Sequence, residues 1–145
     1  MPENAQIDKI LVFKSKRQLL VYSKGILLKT YRVSLGRNPI GAKEFQGDRK
    51  TPEGIYIIND KNPYSRYHKN LGISYPNKQD IENAKEHGKP AGGDIKIHGY
   101  KNGLGFIGKF MRWSNWTLGC IAVTNNDVDE LYKSVKIGTM IEIKP

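Results

Sequence analysis

At 145 residues and 38% apolar content, the chain suits a single domain with one hydrophobic core. Its 24 Lys and Arg against 14 Asp and Glu give a net charge of +10, which attracts polyanions (nucleic acid, anionic lipid or an acidic cell-wall polymer) without choosing among them. One cysteine, Cys120, excludes an internal disulfide, and the longest apolar runs, ILVF and GILL, are far too short for a membrane-spanning helix.

The start, MPENAQIDKI, lacks the apolar h-region of a secretory signal, which leaves a cytosolic protein or a chain whose export segment has been removed. Three β-type runs follow, near Lys9–Lys14, Gln18–Ser23 and Ile26–Ser34. The polar segments SKR and KG separate them, so a meander of hairpins is expected. The alternation in LVFK and LLVY is imperfect, as in strands covered on both faces. LGRNPIGAKEFQGDRKTPEG, rich in Gly and Pro, reads as one long loop, and loops of that length are often functional. GIYIIND reads as a strand, and NPYSRYHKNLGISYPN as an aromatic, turn-rich segment.

NKQDIENAKEHGK is the first helix candidate, capped by Asn77 or Asp80 and ended by Gly88. A short strand is expected at Asp94–His98, while KNGLGFIGKFMRWSNW has no settled period. Cys120–Val123 reads as a strand leading into a second helix, TNNDVDELYKSV. Thr124 or Asn126 caps that helix, and Val128, Leu131, Tyr132 and Val135 share one face. GTMIEI closes the chain as a strand. The class is therefore mainly β, a mixed β-sandwich or partly open barrel with two short helices, forming a single domain over residues 1–145.

A lone cysteine is most often a buried small hydrophobe. As a nucleophile, Cys120 needs an imidazole to draw off its proton. Of the three histidines, His87 sits at a helix end and suits the helix dipole, and His68 lies in the aromatic loop, where a structural role is favoured. His98 ends a strand and precedes Gly99, so a rigid element aims it. No Asp or Glu lies between His98 and Cys120, which leaves a remote carboxylate or a backbone carbonyl, nearest that of Gly99, to orient the ring. Gly119 and Cys120 amides are candidate oxyanion donors. No His and Cys pair has zinc-ligand spacing, so no metal or other cofactor is expected.

IHGY, followed after the stretch from Gly99 to Trp116 by TLGC, resembles the signature of the L,D-transpeptidase (YkuD-type) catalytic domain. GDRKTPEGIYII resembles that family's Thr-Pro-x-Gly-x-Tyr segment, and NLGISYPN and GGDIKIHG resemble one branch of it, so the likeness runs from Gly47 to about Tyr132. The resemblance implies acylation of Cys120 by a diaminopimelate-type peptidoglycan stem peptide, with transfer to an amine or to water. His98 would be the base and later the acid, with the Gly99 carbonyl orienting it. Gly119 and Cys120 would form part of the oxyanion hole, and Thr117 would shape the turn that presents the thiol. It also implies a periplasmic or cell-envelope location, where +10 suits an anionic wall.

One position departs from the family. Two residues after the cysteine, where its transpeptidases commonly carry Arg, this chain has Ala122, in a form that resembles a branch with hydrolytic members. Arg112 is a candidate replacement, and Trp113, Tyr75 and Tyr100 are candidate walls for a sugar or stem peptide, with core or rim packing as the alternative for each ring. Trp116 reads slightly more as packing. Two other classes compete with the enzyme. A wall-binding module has no need of a thiol beside an imidazole, and a nucleic-acid-binding β-domain lacks the basic–aromatic interleaving of single-strand binders.

Overall fold

The computed structural model describes residues 1–102 and 115–145. Among them, eight strands form one sheet: β1 (Ile7–Phe13), β2 (Gln18–Ser23), β3 (Ile26–Arg32), β4 (Gly54–Ser65), β5 (His68–Ile73), β6 (Lys96–His98), β7 (Ile121–Ala122) and β8 (Val135–Lys144). Their order across the sheet is β3-β2-β1-β8-β4-β5-β6-β7. Among the described residues two helices accompany the sheet, α1 (Lys78–Glu86) and α2 (Asn125–Ser134).

The opening meander follows from its turn chemistry. Ser23 pairs with Ile26, leaving Lys24 and Gly25 as a two-residue loop, both with positive φ (50° and 78°), the hairpin geometry that matches strand twist. Alternate residues Ile10, Val12, Leu19 and Val21 are fully buried, while Leu11, Leu20 and Tyr22 between them are only half-buried. The strands are thus covered on one face, not on both, because their period of two is kept where the core needs it. β1 pairs in parallel with β8, so Ile141 and Ile143 join this core. Val128 and Leu131 of α2 close it from the other side.

The sheet curls until its ends meet. Ser34, just beyond β3, exchanges two 2.8 Å hydrogen bonds with Ala122 of β7. Thr117 N–H donates to the Leu35 carbonyl at 3.2 Å, and Arg37 N–H to that of Thr117 at 3.0 Å. These bridges make the fold a partly closed barrel rather than two stacked sheets. β4 runs five residues beyond the expected Asp60, and β5 occupies what reads as turn. Pro63 and the register break between Asn62 and Ser65 explain why the alternation there is illegible.

The 36–53 loop is tied down. Lys14, its side chain 3% exposed, donates to the carbonyls of Gly41 (2.9 Å) and Thr51 (2.7 Å) and pairs with Glu53 at 3.1 Å. Asp48 pairs with buried Lys43 at 2.9 Å and accepts from the amides of Glu44, Phe45 and Lys50. Both helices are capped by their expected first candidates. Asn77 forms a capping box with Asp80, and Thr124 accepts from Asp127 N–H.

Candidate active site

β6 is three residues long and held on both sides. Ile97, fully buried, pairs with Leu71 of β5 and with Ile121 of β7. Strand alternation sends its neighbours Lys96 and His98 to the opposite face. His98 is level with Ala122 in a parallel ladder, which puts Lys96 level with Cys120. Cys120 therefore enters β7 on the face that carries His98, two rungs away.

The His98 ring is fixed. Its Nδ1 donates to the Gly99 carbonyl at 2.6 Å; since a carbonyl only accepts, the proton is on Nδ1 and the free basic nitrogen is Nε2. Tyr67 packs against the imidazole at a tilt of 37° with centroids 4.6 Å apart, and Trp116 meets it edge-on at 5.6 Å. The Tyr67 carbonyl also accepts Gly99 N–H at 2.9 Å. Gly99 has no room for a side chain: a Cβ would lie 2.5 Å from Asn125 Oδ1 and 3.0 Å from the Tyr67 carbonyl oxygen. Burial holds the His98 pKa below its ordinary value, opposed by the Gly99 hydrogen bond and reinforced by the Lys96 charge.

The turn before the thiol is built by Thr117, which is 4% exposed. Its hydroxyl donates to the Cys120 carbonyl at 2.7 Å and accepts Gly119 N–H at 3.1 Å. Gly119 has φ +137°, and a Cβ there would meet the Lys50 carbonyl oxygen at 2.9 Å. The Thr-Pro-x-Gly segment thus lies behind the cysteine turn, with Thr51 Oγ1 accepting Gly36 N–H at 3.1 Å. Cys120 Sγ donates to the Asp94 carbonyl at 3.1 Å. Burial pushes the thiol pKa up, opposed by the Lys96 amide and the charges of Lys96 and Lys43. Burial thus favours the neutral form of both groups, thiol and imidazole.

The expected residues divide. His98, Gly99, Thr117, Gly119 and Cys120 come together on β6 and the β7 turn. The Gly119 amide, expected at the oxyanion, is taken by the Thr117 hydroxyl instead. Among the described residues no group accepts from the Cys120 amide, which makes it the available donor of the two. Tyr100 is buried and packs on Trp116, with centroids 6.1 Å apart, at the edge of the His98 ring cluster. Tyr75 is a core ring, 5% exposed, edge-on to Tyr56 and donating its hydroxyl to the Ala91 carbonyl at 2.9 Å. That packing replaces the expected wall. Arg112 and Trp113 lie outside the described residues. Ala122 is 1% exposed beside Ser34 and brings no charge.

The other histidines are engaged elsewhere, His68 with Asp129 at 2.7 Å and His87 with Glu44 at 2.8 Å. Sequence reading missed Tyr67 and Lys96. Lys96 carried a signal, since two residues before His98 on a strand is the same face; Tyr67 carried none. A polar cavity of about 450 Å³ between α1 and the 42–53 segment, lined by Glu44, Glu53 and Asp80 among others, does not include His98 or Cys120.

The model of the YkuD family, the L,D-transpeptidase catalytic domain, matches residues 7–143. The chain is 32% identical over 134 residues to YafK of Escherichia coli K12, itself named only provisionally as an L,D-transpeptidase, covering 87% of this chain and 46% of YafK. Among solved structures it is similar to the helical cell shape determining protein Pgp2 from Campylobacter jejuni, with 27% identity and a TM-score of 0.70 over 97% of this chain and 48% of that one. Bd1075 from Bdellovibrio bacteriovorus is similar at 27% identity and a TM-score of 0.64, over 99% and 49% of the two chains. The chain thus spans about half the length of these relatives. With nearly its whole length matched and the His-Gly and Thr-x-Gly-Cys segments meeting on adjacent strands, the chain belongs to the YkuD family of L,D-transpeptidase catalytic domains.

Proposed function

We propose that this chain performs cysteine-dependent acyl transfer on diaminopimelate-type peptidoglycan stem peptides. The observation that carries the reading is the 2.6 Å bond from His98 Nδ1 to the Gly99 carbonyl, which leaves Nε2 as a base on the face where Cys120 emerges. Nε2 takes the thiol proton as Sγ attacks the carbonyl at the diaminopimelate L-centre, and the Cys120 amide donates to the oxyanion. The C–N bond then breaks, and His98 returns the proton to the departing amine of the D-residue. An amine or water attacks the thioester, gives its proton to Nε2, and releases Cys120 with its proton restored.

Transfer to an amine makes the chain a transpeptidase. Hydrolysis, giving an L,D-carboxypeptidase or endopeptidase, is the second reading, favoured by the buried, uncharged Ala122. The same proposal places the protein in the cell envelope with peptidoglycan, not nucleic acid, as its partner, and gives it a part in cell shape like that in Pgp2's name.

Chromatography of a purified disaccharide-tetrapeptide incubated with the protein tests this. The expected products are D-alanine with cross-linked dimers, or with tripeptide if water is the acceptor, and none from Cys120→Ala. Equal product from Cys120→Ala would overturn the reading.

A further inference from the structure

An acyl-transfer site that cleaves before a terminal D-residue meets a free carboxylate two bonds beyond the scissile nitrogen. Position 122 offers that anion nothing. We propose that Lys96 is the cation that receives the carboxylate of the leaving D-residue, and so selects substrates with a free C-terminus. This rests on the acyl-transfer reading above.

Three observations carry it. Lys96 lies on β6 two residues before His98 and level with Cys120, so its side chain leaves the strand on the reacting face. Its side chain is 32% exposed, partly shielded yet open to a ligand. A carboxylate reaching it is partly desolvated and held more firmly than on a free surface. Third, its described carboxylate partner is Asp94, at a loose 3.7 Å and on a side chain 95% exposed, a pair that an incoming anion displaces at little cost. The other cation acting on the thiol, Lys43, is committed to Asp48 at 2.9 Å with both side chains buried. The Lys96 charge also acts on both Cys120 and His98, which places the ammonium within the field of the reacting pair.

The test crosses a protein change with a substrate change. kcat/KM is measured on the disaccharide-tetrapeptide ending in D-alanine and on the same molecule ending in D-alaninamide. Any effect of Lys96 on the thiol acts on both substrates, whereas a carboxylate contact acts on the acid alone. Wild type is expected to prefer the acid by about tenfold or more, the scale of a hydrogen bond to a charged group. Lys96→Met, which keeps the apolar stem, should abolish the preference and Lys96→Arg should keep it. An acid-to-amide ratio unchanged in Lys96→Met overturns the proposal.

Calorimetric binding of both peptides to Cys120→Ala, with and without Lys96→Met, reads the contact without chemistry. If wild type turns over neither peptide but Cys120→Ala binds the acid more tightly only when Lys96 is present, the acyl-transfer reading fails and the carboxylate contact stands. If binding is indifferent to Lys96, the contact fails whatever the turnover.

Discussion

Gly119→Ala is the sharpest perturbation of the cysteine turn. At φ +137° an L-residue occupies a region that is essentially glycine's alone, at about 1–3 kcal/mol. The new Cβ would also sit 2.9 Å from the Lys50 carbonyl oxygen and 3.3 Å from Ile95 Cδ1. The peptide unit just before that carbonyl is held on both sides, Lys50 N–H donating to Asp48 at 3.1 Å and the Arg49 carbonyl accepting from Asn38 N–H at 3.0 Å, which limits how far the segment can shift. Forcing that backbone adds about 1 kcal/mol or more.

The total is roughly 2–4 kcal/mol, which for a domain of this size lowers Tm by about 6–12 °C. Moving the thiol by even an ångström costs about a hundredfold in turnover. Thermal melts by circular dichroism and tetrapeptide turnover measure the two effects. Gly25→Ala is the control: φ is +78°, nothing lies within 4 Å of its Cβ, and only about 1 kcal/mol of backbone strain should appear, with turnover unchanged. A Gly119→Ala protein with Tm within 2 °C of wild type and full turnover would refute the packing argument.

Thr117→Val removes the acceptor of Gly119 N–H and the donor to the Cys120 carbonyl. It should cost about 1–3 kcal/mol of stability in a urea titration and lower kcat more than it raises KM. Burial depresses the His98 pKa below 6.5, so the unfolded chain binds more protons from 6.5 downward. His98's contribution to stability is therefore complete above 6.5 and lost as pH falls through its folded pKa. The acidic limb of kcat/KM should lie below 6.5, and a limb at 7 or above contradicts the buried imidazole. Lys14→Met strands the Gly41 and Thr51 carbonyls and Glu53, so chemical denaturation should report a loss of about 3 kcal/mol or more. Asp129→Asn breaks only the half-exposed pairs to His68 and Lys69, and should cost less than about 1 kcal/mol with turnover intact.

What was legible in the chain is what local chemistry dictates. The Lys24–Gly25 turn and the Asn77 and Thr124 caps are each written in a few adjacent residues, whereas the one-sided burial of β1 and β2 was masked by the apolar Leu11, Leu20 and Tyr22 standing between the core positions. The His98–Gly99 bond was legible too, because it spans neighbours. Long-range packing was not. Nothing near Tyr67 says that its ring covers His98, nothing near Gly119 says that its amide serves Thr117, and Tyr75 reads the same whether it faces a ligand or the Ala91 carbonyl. The two ends of the sheet meet through Ser34 and Ala122, far apart in sequence, and that closure decides barrel over sandwich.

The most direct test of the account is the intact mass of the protein quenched in acid during turnover of the disaccharide-tetrapeptide. The account predicts a thioester adduct of the disaccharide-tripeptide acyl group, mapped to Cys120 and lost on treatment with hydroxylamine. Turnover with no adduct at Cys120, undiminished in Cys120→Ala, would contradict it.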